Sequence, residues 1–389
     1  MIDPQDLANR ATDELARLIA FDTTSRGSNL ALIAHVEGLL GGLGVASRRL
    51  ANADGSKANL LASIGPAAEG GVVLSGHTDV VPVDGQAWTS DPFTLARRGT
   101  RLYGRGTCDM KGFLALALAA APDFAAARLA RPVHLAFSYD EEIGCLGAPA
   151  LIEEIAASVP RPAAVIIGEP TNMEAVSGHK GICSFKVTVS GHEAHSSLTH
   201  LGVSANAAAV RLMASLVALS ERLEREADAA SPFLPKGPTL TIGVVNGGTA
   251  LNILARRCVF GFDLRTPPGI APLALLQGFF AEARALDAEL KARFPDAGVV
   301  VEQRSDVPAL APEPGGAAEA FARRLAGDNG PARAVSYAAE AGQFQRAGYS
   351  VVICGPGSID QAHQPDEYVE VAQIERGAAF MARLLEALS

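Results

Sequence analysis

The chain has 389 residues, 48% of them hydrophobic, with 39 glycines and a formal charge of −9. That length favours two domains around a large core, and an acidic balance with no Lys/Arg cluster argues against a nucleic-acid surface. No apolar run approaches the roughly 20 residues of a membrane span, and Met1-Ile2-Asp3-Pro4-Gln5-Asp6 lacks the basic and apolar regions of a signal peptide, so no membrane partner and a cytoplasmic location are expected.

Taken in chain order, residues 5–20 and 29–43 have helical spacing, the second with Leu30, Ile33, Val36 and Leu40 on one stripe. Apolar strands follow near 58–64, 71–76, 133–139 and 163–167, and a helix over 110–127 lies between the second and third of these. Buried strands separated by helices predict an α/β domain with a mixed, mostly parallel sheet covered by helices. The texture changes after about residue 180. Cys183, Phe185, Val187 and Val189 alternate with Ser184, Lys186, Thr188 and Ser190, as a half-buried strand does. A helix over 205–225 carries Leu212, Leu216, Leu219 and Leu223 on one side. Alternating strands then run through Leu240, Ile242 and Val244 and through Cys258, Phe260, Phe262 and Leu264, before a helix at 272–292 and a strand at 298–303. The order βαββαβ is that of a ferredoxin-like unit. Beyond about 308, strand and helix alternate again, up to an amphipathic helix over 372–388. The expectation is a catalytic domain in two parts, 1–179 and 309–389, interrupted by an inserted ferredoxin-like domain over 180–308.

Metal-ligand residue types stand at the ends of these apolar runs, where α/β sheets bind ligands. His77 closes Val72–Gly76, and Asp79 follows at i+2 on the same side of an extended chain. There its carboxylate can accept a hydrogen bond from the imidazole and orient it. Asp109 opens the helix that begins at Met110, either as its N-cap or as a carboxylate shared by two metals. Glu141 and Glu142 end the run 133–140; neighbours in extended chain point differently, so one can bind metal while the other faces the reacting atoms. Glu169 lies between Gly168 and Pro170 after a buried strand, and His363 in the Gly/Pro-rich loop 355–366. Nitrogen and oxygen donors without thiolates suit zinc, with cobalt or manganese possible. Two such ions about 3.5–4 Å apart can activate water and polarise a carbonyl. The five cysteines, Cys108, Cys145, Cys183, Cys258 and Cys354, are odd in number and form no CxxC pair, so neither a disulfide framework nor a zinc finger is indicated. Gly104-Arg105-Gly106 lacks the third glycine and the downstream acid of a dinucleotide fingerprint.

Four motifs together resemble those of the co-catalytic di-zinc amidohydrolases, a family that includes acetylornithine deacetylase, succinyl-diaminopimelate desuccinylase, aminoacylase and a glutamate carboxypeptidase. They are Ser75-Gly76-His77-Thr78-Asp79-Val80-Val81-Pro82, Tyr103-Gly104-Arg105-Gly106-Thr107-Cys108-Asp109-Met110-Lys111-Gly112, Asp140-Glu141-Glu142-Ile143-Gly144 and Ile167-Gly168-Glu169-Pro170-Thr171. The resemblance covers essentially the whole chain. It implies two Zn2+ per chain, with Co2+ as a possible substitute: His77, Asp109 and Glu169 on one ion and Asp109, Glu142 and His363 on the other. Asp79 would orient His77 and Glu141 would be the general base. It also implies a homodimer formed through the insert, with His195 reaching the partner's site and Asn252 and Arg265 holding the substrate. Arg265 lies on the strand face opposite Phe260, Phe262 and Leu264, as either a carboxylate-binding residue or a surface ion pair would.

Within the family, the stretches Ile166–Gly181, Ala339–Phe344 and Cys354–Glu367 are most similar to acetylornithine deacetylases, as is Leu18–Thr24 followed by Ser28-Asn29-Leu30. Tyr337-Ala338-Ala339 departs from the Gly-Thr-like pair expected before Glu340. The reaction implied is hydrolysis of N2-acetyl-L-ornithine to L-ornithine and acetate, by a metal-bridging water activated by Glu141. The alternatives are another N-acyl-amino-acid hydrolase (desuccinylase, aminoacylase or dipeptidase) or a metal-dead binding protein, which would require a lost ligand.

Overall fold

A computed structural model describes residues 3–389. The chain divides into two compact units, one of residues through Gly178 with Leu310–Arg333 and Ala339–Ser389, the other of His179–Ala309 with Ala334–Ala338.

The first unit is built on a six-stranded sheet in the spatial order Ser47–Ala51, Ala58–Ile64, Val133–Ser138, Val72–His77, Ala164–Pro170, Val351–Gly355. The last four strands are parallel, Ala58–Ile64 joins them antiparallel, and Ser47–Ala51 pairs antiparallel with Ala58–Ile64 at the edge. Every residue of the four parallel strands is buried, so both faces of the sheet are covered, and this is why they read as continuous apolar runs rather than alternating ones. The helices Pro4–Ile19, Lys111–Ala126 and Val371–Leu388 pack against one another, and Lys111–Ala126 lies on the central strands. Two glycines permit that approach. A Cβ on Gly76 would meet Met110 Cε at 2.5 Å, and one on Gly168 would meet the Phe113 ring at 2.0 Å. Each glycine immediately precedes a metal-ligand candidate, so the close approach also sets where His77 and Glu169 stand.

The second unit is a four-stranded antiparallel sheet in the order Thr239–Gly247, Arg257–Thr266, Gly181–Ser190, Gly298–Val307. Its helices Ala205–Arg225 and Gln277–Arg293 share one apolar core with the sheet. Element order and strand order are those of a ferredoxin-like unit. Strict alternation of buried and half-buried residues along Gly181–Ser190 shows that one face carries the core.

The structure differs from the sequence expectation in several places. Residues Ala334–Ala338 cluster with the second unit, held there by Lys180 N–H donating to the Val335 carbonyl and Ser336 Oγ to the Leu234 carbonyl. The helix expected over 272–292 is broken at Leu276 into Pro272–Leu275 and Gln277–Arg293. The strand Ser47–Ala51 and the helix Ala148–Ser158 are additional elements.

Candidate metal centre

His77 and Glu169 stand at the carboxyl ends of the adjacent parallel strands Val72–His77 and Ala164–Pro170. Asp109 precedes the helix Lys111–Ala126, across a cis Asp109–Met110 peptide, and Glu141 and Glu142 follow the strand Val133–Ser138. The structure gathers these residues into one cluster with His363. His77 Nε2 lies 3.0 Å from Asp109 Oδ1 and 3.7 Å from Glu169 Oε1. His363 Nε2 lies 3.0 Å from Glu142 Oε2 and 3.4 Å from Asp109 Oδ2. Asp109 therefore turns one oxygen to each imidazole. Ligand atoms of His77, Glu141 and Glu169 lie within 4.8 Å of one another, as do those of His77, Asp109 and Glu142. Asp109 is not the helix N-cap: Met110 occupies that position, without a side-chain capping bond.

The charges in this cluster are poorly balanced. Burial, with the charge of neighbouring carboxylates, pushes Glu141 and Glu169 well above the ordinary glutamate range and Glu142 up to about 7. Burial acts the same way on Asp109, but hydrogen bonds from His363 and His77 outweigh it and hold its carboxyl below the usual range. Burial opposes charge on His77, yet Asp109 and the surrounding carboxylates raise it well above an ordinary histidine. His363 rises to about 10, chiefly through its bonds to Asp109 and Glu142. One oxygen of Glu142, Oε1, is buried without a hydrogen-bond partner. Convergent nitrogen and oxygen donors, excess negative charge and an orphaned carboxylate oxygen all fit divalent cations, which would relieve each of these costs.

Asp79 serves a purpose that the spacing alone did not reveal. His77 Nδ1 bonds to the main-chain oxygen of Asp79 at 2.8 Å, while the carboxylate Oδ1 is 3.6 Å away, beyond a hydrogen bond. The carboxylate instead accepts the main-chain N–H of Glu141 at 3.1 Å and of Glu142 at 3.3 Å, with Ser25 Oγ donating at 2.7 Å. It anchors the turn that carries both glutamates. Glu141 receives a hydrogen bond from Cys145 Sγ at 3.3 Å.

His195, Asn252 and Arg265 belong to the second unit. Ser196 N–H donates to the Asn252 carbonyl at 2.9 Å, and His195 forms a bridge with Ile253, so two segments distant in sequence meet there. His195 and Asn252 are both exposed. Ser197 Oγ lies 2.8 Å from His195 Nδ1, and Arg265 Nε donates to Asp263 Oδ2 at 3.1 Å. Sequence reasoning missed Ser25, Arg105, Cys145, Glu340 and Glu367 as parts of the surroundings; Arg105, Glu340 and Glu367 are each no more than 1% exposed. Their signal was a charged residue inside an otherwise apolar or Gly-rich stretch, visible at Arg105 and Glu340. The cysteines are all buried and free of disulfides.

Among known proteins, an acetylornithine deacetylase of Myxococcus xanthus is 36% identical over 388 residues, covering 97% of this chain and 96% of its own length. An acetylornithine deacetylase of Proteus mirabilis (strain HI4320) is 36% identical over 330 residues, 85% of this chain and 82% of its own. Among solved structures, an M20 family metallo-carboxypeptidase from Sulfolobus solfataricus shares the fold with a TM-score of 0.76 at 17% identity, over 97% of this chain and 98% of that one. The family model of Peptidase family M20/M25/M40 matches residues 73–387. With that match spanning most of the chain and two relatives aligned along nearly all or most of its length, the chain belongs to Peptidase family M20/M25/M40.

Proposed function

We propose that this chain is a di-zinc amidohydrolase that converts N2-acetyl-L-ornithine and water to L-ornithine and acetate. The observation that carries the chemistry is the setting of Glu141, a carboxylate within 4.8 Å of His77 and Glu169 whose proton affinity is raised well above the ordinary range by burial. The substrate is supported by the two relatives named acetylornithine deacetylase.

His77, Asp109 and Glu169 would hold one ion and Asp109, Glu142 and His363 the other; Asp109 turns Oδ1 to His77 and Oδ2 to His363. When bound, such ions polarise an amide carbonyl and lower the pKa of water to about 7. Glu141 takes a proton from the attacking water and delivers it to the nitrogen of the departing amine. Asp79 keeps Glu141 and Glu142 in register through their main-chain N–H groups. In the second unit, Arg265 would hold the α-carboxylate through its guanidinium fork. Asn252, which lies with His195 near the other end of the Arg257–Thr266 strand, would contact substrate together with His195. With Nδ1 engaged by Ser197, His195 has Nε2 to offer. His195 of the partner subunit would thus stabilise the developing oxyanion in a homodimer. Dimerisation through the second unit is supported by its outer strand Thr239–Gly247, where Val244 is 57% and Val245 52% exposed, and by the fully exposed Leu251.

The test is a panel of N2-acetyl-L-ornithine, N-succinyl-diaminopimelate, simple N-acetyl amino acids and dipeptides, assayed with zinc-loaded protein. The expected result is the highest kcat/KM on acetylornithine. A higher value on any other member reassigns the substrate, and no hydrolysis of any member refutes the enzyme reading.

A further inference from the structure

The two halves of the ligand set are held by different means. His77 and Glu169 end buried strands, with 1% and 5% of their side chains exposed. His363 sits on a loop with 52% exposed, and both it and Asp366 adopt left-handed backbone conformations. What fixes this loop is a ring of hydrogen bonds built on Glu367. One carboxylate oxygen of Glu367 accepts the main-chain N–H of Cys108 at 2.9 Å and of Asp109 at 3.1 Å. The other receives Arg105 Nη1 at 2.7 Å. Arg105 Nη2 donates to Gln86 Oε1 at 2.6 Å, and Gln86 Nε2 donates to the main-chain oxygen of His363 at 2.8 Å. The Trp88 ring lies 5.1 Å from the guanidinium carbon. Beyond Glu367, the strand Tyr368–Glu370 pairs with Arg101–Tyr103, tying the same two segments together again.

We propose that Glu367 and Arg105 are a positioning pair that sets the metal affinity of the Asp109–Glu142–His363 half of the centre. The inference rests on the two-ion reading above. Both side chains are 1% exposed, and a buried ion pair is weak grounds for stability because desolvation opposes its Coulombic gain. Arg105 Nε even lacks a partner, so the pair is not arranged for maximum stabilisation. What it does accomplish is geometric: one carboxylate grips the backbone that presents Asp109, while its guanidinium partner, through Gln86, grips the backbone that presents His363. Neither side chain touches a donor atom. They act through the main chain, and they hold two ligands from segments more than 250 residues apart at one separation.

The test uses Glu367→Gln, which keeps an oxygen for the two N–H groups but loses the charge opposite Arg105. It also uses Gln86→Ala, a half-buried position whose loss cuts the link to His363 with little risk to folding. Metal-free wild type and variants are titrated with Zn2+ against a competing chelator and with Co2+ by visible absorbance, alongside denaturant unfolding of the metal-free forms. Wild type takes up two ions. Gln86→Ala binds one ion as wild type does and the other roughly 10–100-fold more weakly, the range for residues that orient metal ligands. Glu367→Gln weakens that same ion by a similar factor and, through the shared Asp109, the first ion to a smaller extent. The double variant loses less than the product of the single losses, because both bonds belong to one ring. Uptake of both ions at wild-type affinity by both variants overturns the proposal, even if Glu367→Gln unfolds more easily. Should Glu367→Gln not fold, Gln86→Ala decides by the same criterion. Failure of the wild type itself to bind two ions refutes the underlying reading, and is seen before any variant is compared.

Discussion

Replacing Asp79 separates two accounts of how the glutamate pair and His77 are held. In Asp79→Ala, the N–H groups of Glu141 and Glu142 lose their acceptor in a site where Asp79 itself is 2% exposed. The Ser25 hydroxyl can turn to the Val80 carbonyl, 3.4 Å away, so two donors are left orphaned. At about 1–3 kcal/mol for each unpaired buried group, the metal-free protein loses roughly 2–6 kcal/mol. Asp79→Asn keeps one acceptor oxygen but turns an amide toward the other N–H, so it loses less. Both variants retain the bond from His77 Nδ1, because it goes to main-chain oxygen. The defect therefore falls on Glu141 and Glu142: displacement of the base by about 1 Å costs on the order of 100-fold in kcat. Denaturant unfolding measures the first quantity. Turnover of Asp79→Asn at saturating zinc and substrate measures the second. Wild-type kcat in fully loaded Asp79→Asn, with the deficit confined to metal affinity, would refute the reasoning and return the carboxylate to orienting His77.

Gly168→Ala places a Cβ 2.0 Å from the Phe113 ring, so overpacking of about 1–3 kcal/mol should lower the denaturant midpoint and displace Glu169; an unchanged midpoint contradicts this packing. Metal binding should release protons, since ions displace them from Glu142, raised to about 7, and from His363, raised to about 10. Protons compete with metal, so apparent zinc affinity rises with pH across about 6 to 8, and calorimetry in buffers of different ionisation enthalpy counts the protons released. A flat affinity over that range would contradict the charge balance described. Val244→Glu with Val245→Glu on the outer strand should halve the solution mass measured by light scattering, and a monomeric wild type would rule out the dimer.

The parts of the site legible in the sequence were those with a local signature. His77 and Glu169 each end an apolar run, and burial of both sheet faces is what makes such runs continuous. The alternation along Gly181–Ser190 was equally readable, because one face meets the core and the other does not. Ser47–Ala51 was not, since an edge strand carrying Arg48 and Arg49 in solvent has no apolar pattern to detect. Asp79 illustrates a different limit. The i+2 spacing correctly brought it beside His77, but its carboxylate bonds to main-chain N–H groups more than 60 residues away, and main-chain donors leave no trace in residue types. Glu367 was hidden for the same reason, and Arg105, visible as a charge in a Gly-rich stretch, gave no sign of its partner, because the fold brings Glu367 to it from 262 residues away.

Glu141→Gln tests the central claim most directly, because it removes the proposed base while leaving all five ligand side chains in place. The account predicts a protein that still binds two zinc ions but hydrolyses N2-acetyl-L-ornithine about 100–10,000-fold more slowly, the range for loss of general acid–base catalysis. Substantial turnover by the zinc-loaded variant would contradict it.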